Sequence, residues 1–207
     1  MNKGFTLIEL IISVAVFLLV VGTASTIFIY TVNHQRRILA DAQLLNQISY
    51  VKEYMSKALR MAIKDEEGSC LPKDYIYMLT RVDESGFYRG IKFINQSADG
   101  VCQEFFLDNA VPGDTSAPLI LKELKNSNNL DDAVPLTSDS LKLEFVRFGI
   151  NGASGCYGGE NCPDGASLGD GIQPRVTILF NVKASEDSEE SGNLFQTTVS
   201  QRNLNTQ

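Results

Sequence analysis

The chain carries one histidine in 207 residues. That residue, His34, stands at the end of a long apolar run. It is poorly placed to activate a Ser or Cys nucleophile in the region beyond, so a hydrolytic triad is not expected. Neither G-x-x-x-x-G-K-[ST] nor H-E-x-x-H occurs, which removes the usual phosphate-loop and zinc-protease signatures. Basic residues are in deficit, 18 Lys and Arg against 25 Asp and Glu, for a net charge of −7. Residues 38–207 hold 15 and 24 of them, a net of −9. Such a balance suits a soluble exterior and lacks the basic footprint that nucleic acid requires. No proline precedes Pro72, and no Asp, Glu, Lys or Arg lies between Leu10 and Val32.

What fills that gap is Leu, Ile, Val and Phe, over a stretch longer than the roughly 20 residues needed to cross a bilayer as a helix. Its hydroxyls (Ser13, Thr23, Ser25, Thr26) can bond to preceding backbone carbonyls. A secretory signal peptide is excluded by length, since its apolar core spans only about 7–15 residues before a small-residue cleavage site. Lys3 favours a cytoplasmic N-terminus under the positive-inside rule. Arg36 and Arg37 on the far side argue the other way. One carboxylate, Glu9, sits inside the apolar start, where an ionisable group marks a functional position. The alternative reading is a carboxylate that snorkels to the interface.

Lys3-Gly4-Phe5-Thr6-Leu7-Ile8-Glu9, followed by the apolar run, resembles the processing site of type IV pilins and type II secretion pseudopilins. The resemblance covers about the first 35 residues. It implies cleavage between Gly4 and Phe5 by a prepilin peptidase, with N-methylation of Phe5. It also implies that Glu9 pairs with the Phe5 amine of a neighbouring subunit and so sets the register of an otherwise featureless helix. Phe5 and Glu9 are four apart and share a helix face.

Beyond the run, Ile38, Ala42, Leu45, Ile48, Val51, Met55, Leu59 and Ala62 recur at steps of three and four, an amphipathic stripe. One helix is expected from about residue 5 to 66, with Gly68 as its stop. Gly22-Thr23-Ala24-Ser25-Thr26 is its weakest stretch, read either as a place of local melting or as a tolerated helix contact. From residue 71 the pattern turns to strands: Asp74–Thr80, Tyr88–Ile94, Val101–Leu107, a short one at Leu119–Leu124, then Leu141–Phe148, Arg175–Lys183 and Leu194–Ser200. The expected fold is α+β: a long N-terminal helix, its first half transmembrane and its second half packed on one antiparallel sheet, which is also the pilin-like plan. The corresponding divisions are 1–4 leader, 5–33 transmembrane and filament-core helix, 34–67 amphipathic helix, and 68–207 β-rich extracytoplasmic domain.

The four cysteines, Cys70, Cys102, Cys156 and Cys162, lie beyond the apolar segment, and an even count in an exported domain reads as two disulfides. Three pairings exist. Cys70–Cys102 with Cys156–Cys162 is favoured because the second pair brackets a short Gly-rich loop. Zinc is disfavoured by the spacing. Within residues 151–172, Glu160, Asn161, Asp164 and Asp170 offer hard oxygen ligands suited to calcium, as in some pseudopilins. The alternative is a disulfide-pinned surface loop. Asn95-Gln96-Ser97 fits a glycosylation sequon by pattern and reads as a turn. The aromatic residues of 75–106 read as core.

By resemblance, the chain is expected to be a minor pilin or pseudopilin and not an enzyme. Its implied partners are other pilin or pseudopilin subunits, the prepilin peptidase, a membrane assembly platform and membrane lipid, with no direct nucleic-acid partner. Its implied location is the cytoplasmic membrane, single-pass, with an extracytoplasmic C-terminal domain that joins a periplasmic or surface filament. The competing reading is a membrane-anchored binding domain that never polymerises.

Overall fold

A computed structural model describes residues 6–111, 113–114, 116–138, 141–152, 173–184 and 192–202. The chain divides into two compact units, Met1–Leu45 and Asn46–Gln207. The first helix, α1, runs from Leu7 to Arg60. Its apolar part is long and hydrophobic enough to cross a membrane, and none of it is buried within the chain. The hydroxyls of Ser13, Thr23, Ser25, Thr26 and Thr31 donate to carbonyls three or four residues back at 2.7–3.0 Å. These bonds satisfy the polar side chains inside an apolar helix. The Gly22–Thr26 stretch is helical throughout.

In the second unit the burial stripe consists of Ile48, Val51, Met55, Ala58 and Leu59. Ile38 and Leu45, which continue the same spacing backwards, are exposed. The helix ends at Arg60, earlier than the expected 66, and Gly68 is not its stop. Distant parts of the chain take up the carbonyls at its end and just beyond it. Leu59 O accepts from Tyr77 OH at 2.6 Å, Arg60 O accepts from Arg202 N–H at 2.9 Å, and Met61 O accepts from Gln96 N–H at 3.0 Å. Ala62 O is bonded by the Gln201 amide at 2.8 Å. These donors answer the orphan carbonyls of a helix end, and none of them is local enough to read from sequence.

The strands that follow are β1 (Ala62–Ile63), β2 (Tyr77–Val82), β3 (Tyr88–Asn95), β4 (Val101–Asn109), β5 (Leu119–Lys125), β6 (Val134–Pro135), β7 (Leu141–Asn151), β8 (Arg175–Ala184) and β9 (Asn193–Ser200). They form two antiparallel sheets where one was expected. The first has the order β1-β3-β4-β5-β6 with β2 also on β3, and the second is β7-β8-β9. Strand β2 begins at Tyr77, later than expected, because Asp74 and Tyr75 bond back to Asp65.

The register sets Phe93 opposite Gln103 and Phe105 opposite Glu123. This face meets the helix: Tyr54 packs edge-on against Phe105 at 6.0 Å, and Phe105 lies 5.5 Å from Phe93. Tyr77, Phe93, Phe105, Met55 and Leu59 are fully buried, each contributing about 1.5–3 kcal/mol of apolar burial. Strand β7 runs closest to β3 and β5. In the second sheet the buried residues switch parity, Leu141 and Leu143 but then Val146 and Phe148. A register shift between Leu143 and Phe145 causes the switch, since one extra residue reverses every later side chain.

Candidate processing and assembly site

The helix starts with a capping box. Thr6 precedes Leu7, and its carbonyl accepts from Leu10 N–H at 3.3 Å. Its N–H and hydroxyl both donate to Glu9 Oε2, at 3.0 and 2.8 Å, while Glu9 N–H approaches Thr6 Oγ1 at 3.4 Å. Thr-x-x-Glu satisfies N-terminal donors reciprocally, and a carboxylate there also complements the helix dipole. Thr6 is the functional residue that the sequence reading passed over, although the spacing announces it. Both carboxylate bonds converge on one oxygen, so the box fixes where the Glu9 carboxylate points. Gly4 and Phe5 lie outside the described residues.

The second unit contains two polar features that hold its shape. At the first, Asp65 is 2% exposed and its carboxylate collects five backbone N–H groups. Oδ1 accepts from Glu67, Gly68 and Ser69 at 3.2, 2.7 and 3.3 Å, and Oδ2 from Cys70 and Leu71 at 2.8 Å each. Gly68 takes φ +77°, which lets the loop curl around the acid. Burial raises the Asp65 pKa, but the N–H groups of Leu71, Cys70, Gly68 and Ser69 outweigh it, and the net shift is downward. The wrapped loop delivers Cys70 to Cys102, and the two form a disulfide with Cα atoms 5.6 Å apart. This is the favoured pairing. Cys156, Cys162 and the calcium candidates Glu160, Asn161, Asp164 and Asp170 lie outside the described residues.

The second feature is a polar row that crosses the sheet beneath the helix. Asn95 Nδ2 donates to Gln103 Oε1 at 2.8 Å, Gln103 Nε2 to Glu123 Oε1, and Tyr54 OH to the same Oε1 at 2.7 Å. Lys125 Nζ lies 3.1 Å from both Tyr54 OH and Glu123 Oε2. Asn95, Gln103 and Glu123 are buried, and the Glu123 carboxylate finds its partners among the other members of the row, as a buried charge requires. Asn95 also caps the 3-10 turn Gln96–Ala98, so the sequon is a turn whose Asn is buried while Gln96 and Ser97 are exposed.

The architecture defined here is an α+β protein with an apolar N-terminal helix and antiparallel sheets beyond it. Residues 1–25 match the family model of the prokaryotic N-terminal methylation motif, the prepilin signature of type IV pilins and pseudopilins. No curated protein and no solved structure matches the chain. The motif is that of structural-subunit precursors, and together with the N-terminal apolar helix it points to membrane anchoring with the C-terminal domain beyond. It implies dealings with other pilin subunits and with the prepilin peptidase.

Proposed function

We propose that the chain is a minor pilin or pseudopilin, a subunit of a type IV pilus-like filament or of a type II secretion pseudopilus. It inserts in the cytoplasmic membrane, is cut between Gly4 and Phe5, and is methylated on the Phe5 amine. It then enters the filament through its N-terminal helix, with its domain on the extracytoplasmic side and a membrane platform driving assembly. The observation that carries this reading is the methylation motif at residues 1–25, continuous with an apolar helix.

The chemistry follows from the new N-terminus. Cleavage creates an α-amino cation one residue before Thr6. A carboxylate in apolar surroundings is costly unless paired, and a neighbour's amine is a cation available at the same depth. The capping box keeps Glu9 oriented before that partner arrives. Since Thr6 and Glu9 both follow the cut, the mature chain retains the box.

The test is the mass of the native N-terminus. A chain that begins at N-methylated Phe5 and co-purifies with filaments supports the proposal. An intact Met1 in cells that grow such filaments refutes it, and points to a domain that is anchored but never polymerises.

A further inference from the structure

Among the described residues every sheet edge but one carries a device against strand pairing. Strand β1 is two residues long, and β6 is two residues long and includes Pro135. In β2, Arg81 has φ +56° and interrupts the ladder between the Thr80–Gly90 and Val82–Tyr88 pairs. Strand β7 has its register shift and presents Lys142, Glu144 and Arg147. Short strands, proline, bulges and charges are the recognised ways of blunting an edge.

Strand β9 has none of them. Asn193-Leu-Phe-Gln-Thr-Thr-Val-Ser200 contains no proline and no charge, no positive φ, and an uninterrupted register against β8. Among the described residues it is paired on one side only. Most of its residues are exposed, Leu194 at 62%.

We propose that the outer edge of β9 is a docking edge for β9 of a second copy, the two strands running antiparallel about a twofold axis and joining two three-stranded sheets into one. Charge selects this occupant. The chain is strongly acidic overall, yet two β9 strands meet without any like-charge contact. A register centred on Gln196 is self-complementary: Gln196 faces its own copy, Leu194 faces Thr198, and Phe195 faces Thr197. Aromatic–β-branched and polar side-chain pairs of this kind stabilise antiparallel ladders, and an isologous contact needs only one patch. The pairing does not depend on the proposed processing or filament role.

The test uses the full chain purified in detergent, with its mass followed against concentration by light scattering. A dimer is expected, and Gln196→Lys should weaken it about tenfold or more by placing two cations face to face. Gln196→Cys should give a reducible cross-linked dimer, whereas Thr177→Cys, one strand inward on the same face, should not. Retention of the Cys70–Cys102 bond and of the native circular dichroism shows that each variant is folded. A chain that stays monomeric throughout, or a dimer that Gln196→Lys leaves unchanged, overturns the proposal. The second result would assign association to the apolar helix instead.

Discussion

The guanidinium of Arg81 lies 3.6 Å above the centre of the Phe106 ring and bonds Glu104 through Nε at 2.9 Å. Simple alternation along β2 would send this side chain to the opposite face of the sheet. Its left-handed backbone, φ +56°, turns it across. Gly90 leaves the passage open, because a Cβ there would stand 2.3 Å from Thr80 Oγ1 and 3.2 Å from Phe106 Cβ. The cost of an unusual backbone, on the order of 1–3 kcal/mol, is set against a cation–π contact and a partly buried ion pair.

Gly90→Ala should therefore destabilise the domain by about 1–3 kcal/mol, the usual cost of overpacking. Urea unfolding of the full chain in detergent reads this directly. Gly86→Ala is a separate comparison: its added methyl meets nothing, and its loss should come only from the strained φ of +81°.

Asp65 should make stability depend on acid. Its folded pKa is depressed, so its contribution is present above the unfolded value of about 3.9 and disappears as pH falls through the lower, folded value. Asp65→Ala should cost at least about 2 kcal/mol at neutral pH, because buried N–H groups lose their acceptor. Its unfolding midpoint should also fall less steeply below pH 4 than that of the parent. An equally steep fall in both proteins would assign the acid sensitivity elsewhere.

Three substitutions separate the two duties assigned to the N-terminal acid. Thr6→Ala breaks the capping box and keeps the charge, and should cost about 1 kcal/mol of local helix stability while filaments still form. Glu9→Gln keeps a capping partner and removes the charge, and should block incorporation while insertion in the membrane persists. Glu9→Ala should fail in both respects. If Glu9→Gln is incorporated at the parental level, as judged by its abundance in sheared filaments, the charge is not what sets register.

Replacing Cys70 and Cys102 together by Ser should lower stability by about 2–4 kcal/mol, since the bond closes a loop across a sequence separation of 32 residues. Thermal unfolding of the double variant beside the parent measures it. The variant should still form the Asp65 loop, because four of its five carboxylate contacts involve residues other than Cys70.

The parts of this fold that sequence announces are the ones governed by near neighbours. The apolar stretch after Glu9 forms a helix, the alternating runs from Tyr88 to Leu107 form β3 and β4, and Arg175–Lys183 pairs with Leu194–Ser200. What escaped depends on distant partners. Nothing near Arg60 foretells that Tyr77, Gln96 and Arg202 will claim the carbonyls at the helix end. The parity switch after Leu143 and the turn of Arg81 onto Phe106 are single-residue events inside regular patterns. Thr6 is the opposite case: its Thr-x-x-Glu spacing to Glu9 is a local signal, legible in the sequence alone.

The bond from Arg202 to the carbonyl of Arg60 ties the stretch after β9 to a helix made some 140 positions earlier. The second sheet likewise receives its final strand late in synthesis. Until that stretch has emerged, the exit of the helix keeps bare acceptors and β8 keeps an unmatched side. The domain therefore closes only after β9 has been translated, and a ribosome stalled before β9 would leave a tethered chain with its fold unfinished.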